Sequence, residues 1–80
     1  MIRQSEDKEI LKQKHMAIFA KNLQKVMLLK GINQKDIADR TEITPAYVSM
    51  LVRGLKEPRL SMIKRLCKAL NIKPHTLLGR

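Results

Sequence analysis

Residues 34–53 contain two short apolar patterns on either side of a tight break. These patterns constrain the fold more than any other feature of the chain. The first pattern has its apolar face at Ile37 and Ala38, and the second has it at Val48, Leu51 and Val52. Between them, Thr44-Pro45 is a strong helix start. The threonine hydroxyl can accept a hydrogen bond from a first-turn amide, and the N–H that proline lacks would have no partner at the first helical position. The small Ala38, ten positions before Val48, allows two helices to cross closely. This spacing predicts a helix-turn-helix.

The same stretch resembles the helix-turn-helix of the lambda-repressor-like (XRE) family of DNA-binding domains. The matching positions are Gln34, which opens the first helix, Ala38 at the crossing, Ile43 in the turn, Val48, Ser49 and Leu51 in the second helix, and Arg53-Gly54, which closes it. The similarity covers residues 19–78. It implies an all-α fold, a compact five-helix lambda-repressor-like domain that contains a helix-turn-helix.

Glu42 departs from the family pattern, because relatives often have glycine at this turn position. A non-glycine residue in a left-handed conformation destabilises the fold by roughly 1 kcal/mol compared with glycine. Either the turn carries this strain or its geometry differs from that of the family.

The composition agrees with a small helical domain that binds a polyanion. The 80 residues are 44% hydrophobic and 2% aromatic, which suits one helical core better than a β-sandwich. The net charge of +10 predicts attraction to nucleic acid or to an anionic membrane surface. The charge is spread over several short helices, which disfavours membrane binding. With no signal-peptide core and no long apolar run, we expect a cytoplasmic protein without a membrane partner.

We expect five helices preceded by a polar N-terminal extension. Residues 1–15 form the extension, which is a tail, extra turns of the first helix or a partner-binding arm, and residues 16–80 form the domain. The predicted helices cover about 15–30, 34–40, 45–53, 60–70 and a short segment from Pro74. Gly31, Gly54 and Asn71 are the predicted helix ends. The predicted core faces comprise Ile18, Phe19, Leu23 and Val26 in the first helix and Ile63, Leu66, Cys67 and Leu70 in the fourth.

The second helix of the motif is the candidate recognition helix. The resemblance implies that bases are contacted by Thr44, Pro45, Ala46, Tyr47 and Met50. Three of these side chains are apolar, so they can contact thymine methyl groups but cannot pair with guanine or adenine. We therefore expect an operator rich in A·T pairs, or one that is read partly through DNA shape. The alternative is that Tyr47 and Met50 pack on neighbouring helices.

Phosphate contacts should hold the recognition helix in register. The candidates at the start of the first motif helix and around the exit of the second are Gln34, Lys35, Ser49, Arg53, Lys56 and Arg59. The alternative for each cation is a solvated surface charge, but Glu57 is the only acid between Arg53 and Arg80, which favours phosphate binding by the cluster. The acids Asp36, Asp39 and Glu42 should point away from DNA. Asp36 or Asp39 is expected to pair with a lysine or arginine four residues along the helix, as Asp36 would with Arg40.

Met27, Leu28 and Leu29 form an apolar cluster that one amphipathic helix face cannot bury as a whole. Either one of them packs under the N-terminal segment, or the cluster is a protein–protein contact. Together with Leu77 and Leu78 near the C-terminus, these residues are the candidate dimer or partner contacts.

Catalytic, metal and cofactor sites have little support in the sequence. His15 and His75 lie far apart, without a neighbouring acid or cysteine, and Cys67 falls on a buried stripe. A single cysteine allows neither an internal disulfide nor a cysteine-built metal site, and there is no glycine-rich phosphate loop. We expect no enzymatic activity, no metal and no cofactor.

The leading hypothesis is a sequence-specific double-stranded-DNA-binding transcriptional regulator, most similar to a phage or bacterial repressor that occludes a promoter. The resemblance implies a homodimer, at least on DNA, that binds an inverted-repeat operator with half-sites about 34 Å apart. The alternative is an antitoxin-like or adaptor module whose main partner is another protein. The two hypotheses differ in whether a stable protein partner exists.

Overall fold

A computed structural model describes the backbone of residues 4–79 and the side chains of residues 15–79. Over this part of the chain it contains no strand and five helices, which are α1 (Gln4–Lys30), α2 (Gln34–Thr41), α3 (Pro45–Val52), α4 (Leu60–Leu70) and α5 (Pro74–Leu78). The predicted all-α five-helix fold is confirmed. None of the described helices is long and apolar enough to span a membrane.

Helix α1 begins before residue 15, as in the predicted alternative in which the extension adds turns to the first helix. Its 27 residues run without a break from Gln4, so the backbone of residues 4–14 continues the helix. Residues 1–3 of the predicted extension, and Arg80 at the other end, lie outside the described residues. The division into an extension of residues 1–15 and a domain of residues 16–80 stays a prediction.

Three helices end in the left-handed turns that the sequence predicted. Gly31, Gly54 and Asn71 have φ values of 65°, 72° and 56°. After α3, the N–H of Leu55 donates to the carbonyl of Met50 at 2.8 Å, and the N–H of Gly54 donates to Leu51 at 3.2 Å. This pair of bonds satisfies carbonyls that the helix end would otherwise leave unpaired.

The hydrophobic core lies where the inner faces of the five helices meet. Helix α1 packs against α3 and α5, α2 packs against α3 and α4, and α4 packs against α5. The core residues are Phe19, Leu23, Val26, Ile37, Ala38, Val48, Leu51, Val52, Ile63, Leu66, Cys67, Leu70 and Leu77. The predicted apolar stripe of α4 is buried in full.

The prediction that Ile18 faces the core is wrong in part, because this side chain is only half-buried, whereas the neighbouring Ala20 is buried. The reason is the close approach of α1 to the end of α3. A Cβ atom added to Gly54 would lie 3.5 Å from the Cβ of Ala20, in ordinary contact. Ala20 therefore packs against the turn that ends α3.

Helix α1 also holds the C-terminal ends of two other helices through polar side chains. The Asn22 side-chain amide donates to the carbonyls of Leu77 at 2.8 Å and Gly79 at 2.6 Å. The Gln24 amide donates to the carbonyl of Val52 at 2.6 Å, at the end of α3. Because the last carbonyls of a helix have no partner within it, these bonds fix α3 and α5 against α1.

Candidate nucleic-acid interface

Helices α2 and α3 pack against each other as the predicted helix-turn-helix. Ala38 and Val48 are both buried, which is the close crossing that their spacing predicted. Thr41, the last residue of α2, is the buried polar side chain of the motif, and its hydroxyl donates to the carbonyl of Ile37 at 2.6 Å. Sequence reasoning missed this role of Thr41, although a threonine four residues after a helical carbonyl can bond back to it.

Of the two alternatives for the turn between the helices, strain or a different geometry, the structure shows the strained one. Glu42 has φ 60° and ψ 31°, which is the left-handed conformation that glycine adopts more easily. Ile43 follows, and its side chain packs against the core as the apolar anchor of the turn. The turn therefore keeps left-handed geometry without glycine at this position.

The N-terminus of α3 presents a small exposed surface. The Thr44 hydroxyl accepts a bond from the N–H of Tyr47 at 3.2 Å, and Pro45 is the first helical residue, as predicted. Thr44, Pro45 and Ala46 are all exposed. Because the Thr44 hydroxyl uses a lone pair for the cap, its proton stays available to donate outward.

Tyr47 and Met50 are less accessible than the first turn of α3. Both side chains are half-buried, and Tyr47 packs against the core. Part of the Tyr47 side chain therefore packs within the protein, as the predicted alternative to base contact has it. The base contacts of all five residues of this set stay a prediction.

The N-terminus of α2 is closed by a capping box that sequence reasoning missed. The Asn33 side chain accepts a bond from the N–H of Asp36 at 2.8 Å, and the Asp36 carboxylate accepts one from the N–H of Asn33 at 2.9 Å. The pattern Asn-x-x-Asp over residues 33–36 is the signal that would have revealed it. The predicted pairing of Asp36 with Arg40 is therefore wrong, since the carboxylate turns back to the backbone.

The capping box leaves part of the α2 terminus open to an anion. It uses the N–H of the third helical residue, whereas Gln34 and Lys35 occupy the first two positions, whose amides have no acceptor within a helix. Such amides bind phosphate well. Gln34 is half-buried and Lys35 is exposed, so the side chain of Lys35 adds a mobile positive charge beside them.

The remaining predicted phosphate contacts lie at the other end of the motif. Arg53, Lys56 and Arg59 are exposed around the exit of α3, and Ser49 is half-buried on α3 itself. The two basic regions thus belong to the start of α2 and the end of α3. Their contacts with phosphate stay a prediction.

The five apolar residues predicted as dimer or partner contacts have different environments. Leu28 is 84% exposed and Leu29 is 77% exposed, while Met27 is half-buried against the core. Leu78 is 50% exposed. The prediction for Leu77 is wrong, because this side chain is completely buried between α5 and the rest of the core.

The alternative that Leu28 or Leu29 packs under the N-terminal segment is also wrong. Residues 4–14 belong to the same uninterrupted helix, which holds residue 14 about 20 Å from Leu28 along the axis. A straight helix cannot fold back over its own end.

Cys67 lies in the core, and burial raises the pKa of its thiol. The thiolate is the reactive form of a cysteine, so burial and the raised pKa both lower the reactivity of Cys67. Among the described side chains, no three His, Cys, Asp or Glu residues are grouped in a way that could hold a metal ion.

Comparison with known proteins agrees with this geometry. Residues 23–77 match the family model described as Helix-turn-helix. No curated protein sequence matches the chain. Among solved structures, the hypothetical transcription factor NHTF from Neisseria is similar, with a TM-score of 0.77 and 28% identity, covering 84% of this chain and 77% of that one. The restriction-modification controller protein C.AhdI from Aeromonas hydrophila has a TM-score of 0.73 and 29% identity, covering 78% of this chain and 94% of that one.

Proposed function

Because the chain belongs to the lambda-repressor-like (XRE) family of helix-turn-helix domains, we propose that it is a sequence-specific, double-stranded-DNA-binding transcriptional regulator. The observation that carries this proposal is the exposed first turn of α3, with Thr44, Pro45 and Ala46, in a motif whose other helix, α2, has open amides at its start. The names of the two similar structures support it, since one is called a transcription factor and the other a controller protein.

In the proposed complex, α3 enters the major groove with its N-terminal turn foremost. Pro45 and Ala46 contact thymine methyl groups, and the Thr44 hydroxyl donates to a base acceptor. Tyr47 and Met50 contribute only the accessible parts of their side chains. This surface offers few polar groups, so it favours A·T pairs and relies partly on the shape of the duplex.

Two groups of phosphate contacts orient α3 in this complex. The first comprises the amides at the start of α2 with Gln34 and Lys35, and the second comprises Arg53, Lys56 and Arg59. With a net charge of +10, the whole chain is also drawn to DNA before specific contacts form. A regulator of this kind works in the cytoplasm, where a bacterial chromosome is accessible.

We further propose that the protein acts as a repressor by occluding a promoter, as a homodimer on an inverted repeat. A two-fold dimer places two recognition helices in successive major grooves, about 34 Å apart. The half-exposed Leu78 at the end of α5 supplies an apolar side chain for the contact between protomers. A cofactor has no place in this mechanism.

Selection of bound duplexes from a random DNA pool at about 150 mM salt tests the proposal directly. We expect enrichment of an A·T-rich inverted repeat whose half-site centres are one helical turn apart. A single enriched half-site would contradict the dimer but keep sequence-specific binding. Binding without any enriched sequence would contradict the proposal as a whole.

A second candidate function, an antitoxin-like or adaptor module, is favoured by one observation. Leu28 and Leu29 are adjacent, and each exposes more than three quarters of its side chain. Exposed apolar side chains that adjoin one another mark protein interfaces more often than isolated ones do. The two functions are compatible, because the leucines and the first turn of α3 lie on different helices.

A further inference from the structure

The C-terminal part of α1 exposes two leucines among lysines. Lys25 lies one turn before both Leu28 and Leu29, and Lys21 lies one turn before Lys25. All four side chains are exposed. We call these four residues the α1 patch. Residues three and four apart share a helix face, so Lys25 borders both leucines and Lys21 extends the same face.

Nothing in the described part of the chain covers the α1 patch. The opposite face of this turn, with Val26 buried and Met27 half-buried, supplies the contacts to the core. Nothing packs against Gly31, the residue after α1, because a Cβ atom added there would meet no atom within 4 Å. The patch is therefore free to receive an extended partner.

We propose that the α1 patch docks an acidic amphipathic helix of another protein. Apolar side chains of that helix contact Leu28 and Leu29, and its carboxylates pair with Lys21 and Lys25. Complementary charge supports this choice, since no acidic residue lies between residues 15 and 30. The inference gives the second candidate function a partner of defined chemistry, and it holds whether or not the chain binds DNA.

A second copy of this chain fits the α1 patch poorly. A two-fold contact of patch with patch would bring Lys21 and Lys25 of both copies together, between two chains of net charge +10. An acidic partner replaces this repulsion with attraction.

The position of the patch leaves the DNA-reading end of α3 uncovered. Leu28 lies one turn beyond Gln24, whose amide donates to the Val52 carbonyl at 2.6 Å. Val52 is the last residue of α3, whereas Thr44 caps the opposite end. A helix docked on the patch therefore lies beside the C-terminal end of α3, which the proposed phosphate contact Arg53 follows, and away from the first turn, which is proposed to read the bases.

The test uses two synthetic peptides of the same composition. In one, leucines recur at helical spacing on a glutamate-rich background, and in the other the leucines are dispersed. Binding of each labelled peptide to the full chain is measured by fluorescence anisotropy. We expect the amphipathic peptide to bind about tenfold more tightly, because only it presents a continuous apolar face. Equal binding of the two peptides would overturn the proposal.

A matched pair of variants assigns this preference to the α1 patch. The variant Leu28→Ser/Leu29→Ser should lose the preference for the amphipathic peptide. The control Leu55→Ser/Leu60→Ser, which replaces two other exposed leucines, should keep it. All four side chains are exposed, so neither variant should unfold, and thermal melting verifies this. Loss of the preference in the control alone would place the docking surface elsewhere and overturn the proposal.

Two further measurements separate the remaining occupants. If sedimentation equilibrium shows self-association that Leu28→Ser/Leu29→Ser abolishes, the patch binds a second copy and the proposal is wrong. If the same variant weakens DNA binding, the patch belongs to the DNA surface and the proposal is wrong. Unchanged DNA binding with loss of peptide preference supports it. The peptide and self-association measurements do not depend on the duplex selection, so a failure of DNA binding would not change what they show about the α1 patch.

Discussion

Glu42 holds the turn of the helix-turn-helix at φ 60°, where a side chain is unfavourable and glycine is not. We predict that Glu42→Gly raises the free energy of unfolding by about 0.5–1 kcal/mol, since relief of strain exceeds the extra entropy of the unfolded chain. Urea denaturation measures this. Asn71→Gly, at φ 56°, is the control and should gain less, because asparagine tolerates this conformation. A lower free energy of unfolding for Glu42→Gly would show that the side chain has a compensating contact.

Cys67 is buried, and burial raises the pKa of its thiol above the ordinary value of 9.0. We predict that a disulfide reagent modifies it far more slowly in the native chain than in the urea-unfolded chain at pH 8. The unfolded thiol ionises at a lower pH than the folded one, so this residue's contribution to stability falls as pH rises above 9.0 toward the folded pKa. Cys67→Ala should remove that part of the pH dependence. Equal reaction rates in the two states would contradict the burial.

At the scale of the helices, α1 organises the fold, because two of its polar side chains hold the ends of other helices. We predict that Asn22→Ala lowers the free energy of unfolding by about 1–2 kcal/mol, since it removes two partly buried hydrogen bonds to the end of α5. Hydrogen exchange should increase most in α5. Gln24→Ala is the matched control, and it should increase exchange at the end of α3 instead. If both variants had the same exchange pattern, the bonds would not act locally.

At the scale of the whole molecule, charge and shape make separable contributions to DNA binding. We predict that Arg53→Ala weakens binding to all duplexes by a similar factor and flattens the salt dependence by about 0.9 in log–log slope, as expected for one lost phosphate contact. Tyr47→Ala or Met50→Ala should instead change which sequence is preferred. Binding constants for the selected duplex and for an unrelated duplex, each over a range of salt concentration, measure both effects.

The control for this prediction is Lys21→Ala, which removes an equal charge from the exposed face of α1. It should change the salt slope less than Arg53→Ala does, because Lys21 lies outside the helix-turn-helix. If Arg53→Ala altered the sequence preference and left the salt slope intact, the division into phosphate and base contacts would be wrong.

Much of the fold was predictable, because its signals act between neighbours in the chain. Thr44-Pro45 starts α3, Gly54 and Asn71 end helices in left-handed turns, and the apolar stripe of α4 repeats at helical spacing. The capping box of Asn33 and Asp36 belongs to the same class, since its two partners are three residues apart. The accessible first turn of α3 also follows from local rules.

What the sequence by itself determined is therefore the helices and their ends, since each depends on contacts within about four residues. It also determined the helix-turn-helix, whose two helices cross at residues only ten positions apart. Only the tertiary structure decided that Leu77 is buried while Leu28 and Leu29 are exposed. It also decided that Asn22 bonds to a residue 55 positions away, as the end of α5 packs on α1. These outcomes depend on which helix faces meet, and an apolar side chain is equally apolar on either face.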